Sequence, residues 1–198
     1  MISEEVLIQR AQQGNLTAAE QLFSLYQDRV FSYLWRMTRN RALAEDASQE
    51  TFVKGIKGLK RYREQGSFKA WLFKIAYREG LRALKKEQRH FWHRFIPGRN
   101  TKGDADGNKT LEDSLPGCEP ASSFPGSDEA VIVKEEQQML ENALSGLPEN
   151  ERQVVMLRIY EGLSFKEIST IMNCPVNTAL GRMHNAVKRL KKTMHKEG

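Results

Sequence analysis

Cysteine is nearly missing from these 198 residues: Cys118 and Cys174 are the only two. Two thiols so far apart make neither a disulfide framework nor a four-ligand zinc site, and they suit a reducing cytoplasm. No apolar run approaches the roughly 18 residues of a membrane span. The opening Met1-Ile2-Ser3-Glu4-Glu5 is acidic and has no apolar stretch behind it, so a secretory signal is not expected either. The expectation is a cytoplasmic protein without membrane insertion. Alternating strand patterns and fixed-period repeats are missing too, which argues against a sheet and a solenoid.

What is present is charge, unevenly placed. The chain carries 31 Lys+Arg against 25 Asp+Glu, a net +6, with a pI near 9.3. Residues 1–95 hold 18 basic against 10 acidic side chains (+8), residues 96–127 hold 3 against 5 (−2), and residues 128–198 hold 10 against 10. A basic excess of this kind points to polyanionic partners. The middle segment contains 4 of the 6 prolines and 5 of the 14 glycines, with no apolar periodicity. It buries too little apolar surface to offset its ordering entropy and is expected to be a flexible linker. Two compact pieces remain, 1–95 and 128–198.

Both pieces have helical periodicity, so the expected fold is all-α: an N-terminal helical bundle and a C-terminal helix-turn-helix. Thr17-Ala18-Ala19-Glu20 has the form of a capping box. Leu22, Tyr26, Val30, Leu34 and Met37 follow on one face of a helix running to about Arg39. Asn40 suits the cap of a second helix, with Leu43, Ala47, Phe52, Ile56 and Leu59 as its inner face. A turn around Glu64 to Ser67 precedes a third helix over about 68–90. Its apolar side is Leu72, Phe73, Ala76, Tyr77, Gly80 and Leu84. Opposite runs a stripe of Lys74, Arg78, Arg82, Lys85 and Arg89, joined by Trp71. Such a stripe is either a solvated face or a track for phosphates with an aromatic platform for unpaired bases. Periodicity leaves Trp71 free to point either way. On the preceding helix Asp46, Gln49, Glu50 and Val53 share a side, suited to solvent or to docking on a polar or basic partner.

The strongest local pattern lies at 147–191. Leu147-Pro148 opens a helix with Val154, Val155, Leu157, Ile159 and Tyr160 on its apolar face, stopping at Gly162. Ser164-Phe165-Lys166-Glu167 is a second capping box, opening a short helix with Ile168, Ile171 and Met172 facing inward. Asn173 suits a left-handed turn and Pro175 the first position of the next helix. That last helix repeats Val176, Ala179, Met183, Ala186/Val187 and Leu190, and presents Asn177, Thr178, Gly181, Arg182, Asn185, Lys188 and Arg189 outward. Amides and Arg near the start suit base edges, and Lys or Arg farther along suit phosphates. His90 and His93 have no short-spaced companion to complete a metal site. No catalytic constellation, metal site or cofactor is expected. Cys174 is expected to be a small buried residue.

Taken together, the chain resembles the extracytoplasmic-function group of bacterial RNA polymerase sigma factors in the sigma-70 family. The resemblance rests on Ala44-Glu45-Asp46-Ala47-Ser48-Gln49-Glu50-Thr51-Phe52 and on Gly66-Ser67-Phe68-Lys69-Ala70-Trp71-Leu72-Phe73-Lys74-Ile75-Ala76. In the second piece it rests on Leu147-Pro148, Glu161-Gly162-Leu163-Ser164-Phe165-Lys166-Glu167-Ile168 and Val176-Asn177-Thr178. It implies that Asp46, Gln49, Glu50 and Val53 dock on a coiled coil of the polymerase's largest subunit. Arg61, Arg63 and the loop to Phe68 would border the pocket for a flipped minus-ten base, and Lys69, Trp71, Lys74, Arg78 and Arg82 would meet the melted strand and the duplex beside it. Asn177, Thr178, Arg182, Asn185, Lys188 and Arg189 would face the minus-thirty-five element. An anti-sigma partner is implied as well. The chain departs from the family pattern at Arg78 and Arg82, where Asn and Asp are common, and at Leu180 and Gly181, where basic and Ser residues are usual. A stand-alone helix-turn-helix regulator and a nucleic-acid enzyme are the alternatives. The first would need a dimerisation helix and the second metal-binding carboxylates or a nucleophile beside the basic helix.

Overall fold

The computed structural model describes residues 3–63, 67–95 and 142–194. The expected linker 96–127 and most of the turn at Glu64–Ser67 lie outside them. Every regular element among the described residues is helical.

The first helix, α1 (Glu4–Gln12), has no counterpart in the periodicity reading. Ser3 caps it, its side chain accepting from the Val6 amide, and Leu7, Ile8 and Ala11 turn inward. The helix expected from Ala18 to Arg39 is two helices, α2 (Leu16–Ser24) and α3 (Gln27–Thr38). The cap of α2 is the Asn15 side chain, which accepts from the Ala18 amide, rather than the expected Thr17 box. Leu22, Tyr26, Val30, Leu34 and Met37 are nonetheless all buried, because the chain bends at Leu25–Tyr26 around the same core. Helix α4 (Arg41–Leu59) begins as expected, with the Asn40 side chain accepting from the Leu43 amide. Helix α5 (Phe68–Phe95) crosses α3 and α4. Gly80 makes the crossing close: a Cβ there would lie 2.6 Å from Met37 Sδ and 3.0 Å from Leu34 Cδ2.

In the second piece α6 (Glu149–Val155) runs into a π-helical turn, Met156–Tyr160. The wider turn shifts the helical phase. Ile159, expected inside, is 62% exposed while Leu157 is fully buried. Gly162 ends the segment at φ +65. Helix α7 (Phe165–Met172) starts with the complete Ser164–Glu167 capping box and ends at left-handed Asn173, as expected. Helix α8 (Val176–Met194) follows. Its inward residues are Ala179 and Ala186, flanked by half-buried Met183 and Leu190, whereas Val176 is exposed.

The two pieces share one apolar core. Val154, Met156, Leu157, Leu163, Ile168 and Ile171 are continuous with the core of α1–α5, and α5 packs along α7. Polar groups stitch the seam. The buried Tyr33 hydroxyl donates to Gln153 Oε1 at 2.7 Å. The Arg29 guanidinium lies 2.8 Å from Glu161 Oε2, and that of Arg36 lies 4.3 Å from the Tyr160 ring centroid.

Candidate nucleic-acid interface

Helix α4 turns Asp46, Gln49, Glu50 and Val53 to solvent, all four exposed and on one side. Ile56 continues the strip and is 52% exposed, against its expected place in the core; Val53 beside it is 43% exposed. The inner face of α4 is instead Ala44, Ala47, Ser48, Thr51, Gly55 and Leu59. These are mostly small residues, so the helix lies close to its neighbours and its larger apolar side chains are left outside.

Helix α5 divides its cations into three groups. Arg78, Lys85 and Arg89 are exposed and Lys74 is half-buried; none of the four forms an ion pair among the described residues. Arg82 Nη1 is bound to Glu79 Oε1 at 2.7 Å. Lys69 is taken into the seam, where its ammonium donates to the Glu161 carbonyl. Burial, reinforced by the nearby Arg29 cation, pushes the Lys69 amine below its ordinary range. Ser67, just ahead of the helix, donates from its hydroxyl to Glu167 Oε1 across the same seam.

The aromatic residues expected at this surface sit deeper. Phe68 is 2% exposed, ringed by Phe23, Tyr26, Tyr62 and Trp71 at centroid distances of 5.3–5.8 Å. It belongs to the core and offers no surface to a base. Trp71 is half-buried and leans over Gly58, whose Cβ, if present, would lie 3.1 Å from Trp71 Cζ2. A large nonpolar ring beside a bare glycine is the more stable of the two orientations that periodicity left open. Arg61 and Arg63 are exposed next to this cluster.

On α8 Asn177, Asn185 and Lys188 stand open to solvent, with Gly181 in their midst; Thr178 is half-buried. Nothing lies within 4 Å of a Cβ placed at Gly181. Arg182 and Arg189 differ from their neighbours. Arg182 is half-buried on the side turned to α5, where its charge acts on the Tyr77 hydroxyl. Arg189 Nε lies 3.2 Å from Glu151 Oε2. Burial raises the Tyr77 hydroxyl and, outweighing Arg29 and Lys69, the Glu161 carboxyl. No cluster of three or more metal-ligating side chains occurs among the described residues, and no helix there is long and apolar enough to cross a membrane. Cys174, in the α7–α8 turn, is a half-buried free thiol.

Comparison with known proteins fits this geometry domain by domain. Residues 22–90 match the model for sigma-70 region 2, and residues 137–190 match that for sigma-70 region 4. The chain is 28% identical over 193 residues to the RNA polymerase sigma-H factor of Pseudomonas aeruginosa, covering 96% of this chain and 93% of that protein. It is 28% identical over 185 residues to the ECF RNA polymerase sigma-E factor of Haemophilus influenzae, covering 93% and 92%. The fold is similar to that of CnrH, solved with the cytosolic domain of CnrY (TM-score 0.63, 19% identity, 98% and 99% coverage). It is also similar to RpoE of Bartonella quintana, solved with the anti-sigma factor NepR (TM-score 0.63, 21% identity, 89% and 96% coverage).

Proposed function

The chain belongs to the sigma-70 family of bacterial RNA polymerase sigma factors, in its extracytoplasmic-function group, and from that premise we propose how its surfaces divide the work of promoter recognition. Its activity is that of an alternative sigma factor in transcription initiation. Residues 1–95 act as region 2, residues 96–127 as the connection, and residues 128–198 as region 4. Asp46, Gln49, Glu50 and Val53, extended by Ile56, dock on the polymerase core. Arg61, Arg63, Lys74 and Arg78 meet the minus-ten strand and adjoining duplex. Asn177, Thr178, Asn185 and Lys188 meet the minus-thirty-five element. Lys69 and Arg182 join them once the two domains part from the closed seam, and Arg189 once it leaves Glu151. Catalysis belongs to the polymerase, the protein works in the cytoplasm, and an anti-sigma factor is its inhibitor.

The observation that carries this reading is the strip on α4. A merely solvated face has no need of Val53 and Ile56 at 43% and 52% exposure in line with Gln49 and Glu50. Apolar side chains lined up with carboxylates suit a partner that is part basic and part apolar. The test is run-off transcription by purified core polymerase on sheared genomic DNA, with the RNA starts sequenced. New starts sharing two spaced upstream motifs are expected, and Gln49→Ala/Glu50→Ala is expected to lower their yield and core retention with helicity intact. Core binding without new starts would overturn the promoter role. Core retention equal to wild type in the double variant would overturn the docking face.

A further inference from the structure

Glu79 has no part in the reading above, yet it is one of three buried carboxylates among the described residues: its side chain is 7% exposed. A carboxylate this far from water is costly unless both oxygens find cationic or hydrogen-bonding partners. Here each oxygen has one. Oε2 receives the Lys54 ammonium from α4 at 2.5 Å, and Oε1 receives Arg82, one turn along α5, at 2.7 Å. Lys54 is itself shared, with Glu50 Oε2 3.4 Å away. The charges run without a gap from Glu50 on the docking strip, through Lys54 and Glu79, to Arg82 at the edge of the basic stripe.

We propose that Glu79 is a positioning residue that switches Arg82 between protein and nucleic-acid strand, with Lys54 and Glu50 linking the switch to the docking face of α4. The inference rests on the reading of α5 as the strand-facing helix. Arg82 is 67% exposed, so its guanidinium has two competing acceptors, the Glu79 carboxylate and a phosphate. Glu79 releases Arg82 only when another cation takes over, and Lys54 already touches its second oxygen. Lys54 is divided between two carboxylates as long as Glu50 is free. When Glu50 engages a cation of a docked partner, Lys54 turns wholly to Glu79 and Arg82 becomes available to a phosphate. Occupation of α4 therefore strengthens strand binding on α5, and by linkage strand binding strengthens docking. In the free protein the same bond holds one cation back from indiscriminate strand binding.

The experiment is a salt series of dissociation constants for the full-length chain with a fluorescent oligothymidine. Lys74→Gln/Arg78→Gln is the control and is expected to weaken binding. Glu79→Gln is expected to bind several-fold tighter, with a log–log salt slope steeper by about 0.7, the value for one added single-strand phosphate contact. The charge-conserving pair Lys54→Met/Glu79→Gln is expected to give the same change, which separates release of Arg82 from a mere gain of net charge. It also stands in should Glu79→Gln alone fail to fold. Arg82→Gln is expected to erase the gain in either background, and Glu50→Gln to move the wild type part of the way while leaving Glu79→Gln unmoved. A gain that survives Arg82→Gln, or an unchanged slope in the folded variants, would overturn the switch while leaving the stripe. No loss in the Lys74/Arg78 control would remove the strand-binding reading, and the switch with it.

Discussion

Helices α5 and α8 follow the same amphipathic plan, an apolar side and a side rich in Lys and Arg, but the molecule treats them differently. Helix α5 is held by α3 and α4 on one side and α7 on another; Leu72, Phe73 and Ala76 are fully buried. Its Gly80 exists for closeness, since Met37 and Leu34 occupy the space a side chain would need. Helix α8 leans on α6 and α7 chiefly through Ala179 and Ala186, keeps Leu180 43% exposed, and has open space at Gly181. The pattern alone does not say how much of a helix's circumference the core claims. Where it claims most, the outer residues are set by packing and ion pairs; where it claims little, packing leaves the outer face free to vary.

Two pairs of matched substitutions test that contrast. The largest effect is expected from Leu72→Ala, which leaves a cavity in a fully buried site and costs about 2–5 kcal/mol. Leu180→Ala removes the same atoms from an exposed site and should stay within about 0.5 kcal/mol. Urea denaturation of both variants reads the difference, and comparable losses would break the comparison. The glycines come next, with opposite signs. At Gly80, overpacking of about 1–3 kcal/mol exceeds the roughly 0.5–1 kcal/mol that Ala brings to a helix interior, so Gly80→Ala should lower stability. At Gly181 only the helix gain remains, and Gly181→Ala should raise stability by about 0.5–1 kcal/mol. A stable Gly80→Ala would mean that Met37 moves aside freely.

Most of the helical order was legible because it rests on local chemistry. The Asn40 cap, the Ser164–Glu167 box and left-handed Asn173 are decided by residues within four positions of each other. What escaped the sequence depends on partners far along the chain. Helix α1 is short, and its apolar residues gain meaning only against α2 and α4, although Ser3 followed by Leu7, Ile8 and Ala11 is a signal that could have found it. Spacing alone permits Ile56 an inner place, whereas the small residues of α4 draw the helix in along a different line. The π-helical turn at Met156–Tyr160 re-aimed Ile159 without any sequence punctuation. At the candidate site the open residues Arg78, Asn177, Asn185 and Lys188 were legible from charge and period, whereas Arg61 and Arg63 came only with the family resemblance. The engagement of Lys69 was not legible, since its partner Glu161 is 92 positions away in the chain; the Arg82–Glu79 pair, i,i+3 on one helix, lies within reach of spacing alone.

The seam between the domains links the two helices and gives the smallest expected effect. Burial alone would raise the Glu167 carboxyl, but the Ser67 hydroxyl across the seam and the hydroxyl and amide of Ser164 outweigh it and hold it below the ordinary range. The closed fold therefore binds this proton less readily than the unfolded chain does. Its contribution to stability is present above the ordinary carboxylate value of 4.5 and is lost as the pH falls through the lower folded value. Glu161 has the opposite sign: burial raises its carboxyl, so its contribution is present in acid and fades as the pH climbs through the raised value. Unfolding free energies from urea denaturation across the acid limb should fall less steeply for Glu167→Gln than for the wild type, by an amount below about 1 kcal/mol because the group is partly exposed. Glu161→Gln should instead remove the decline on the side toward neutrality. If Glu167→Gln keeps the wild-type acid slope, the Ser67 and Ser164 bonds have no ionic part, and the junction of α5 with α7 is held by the apolar core.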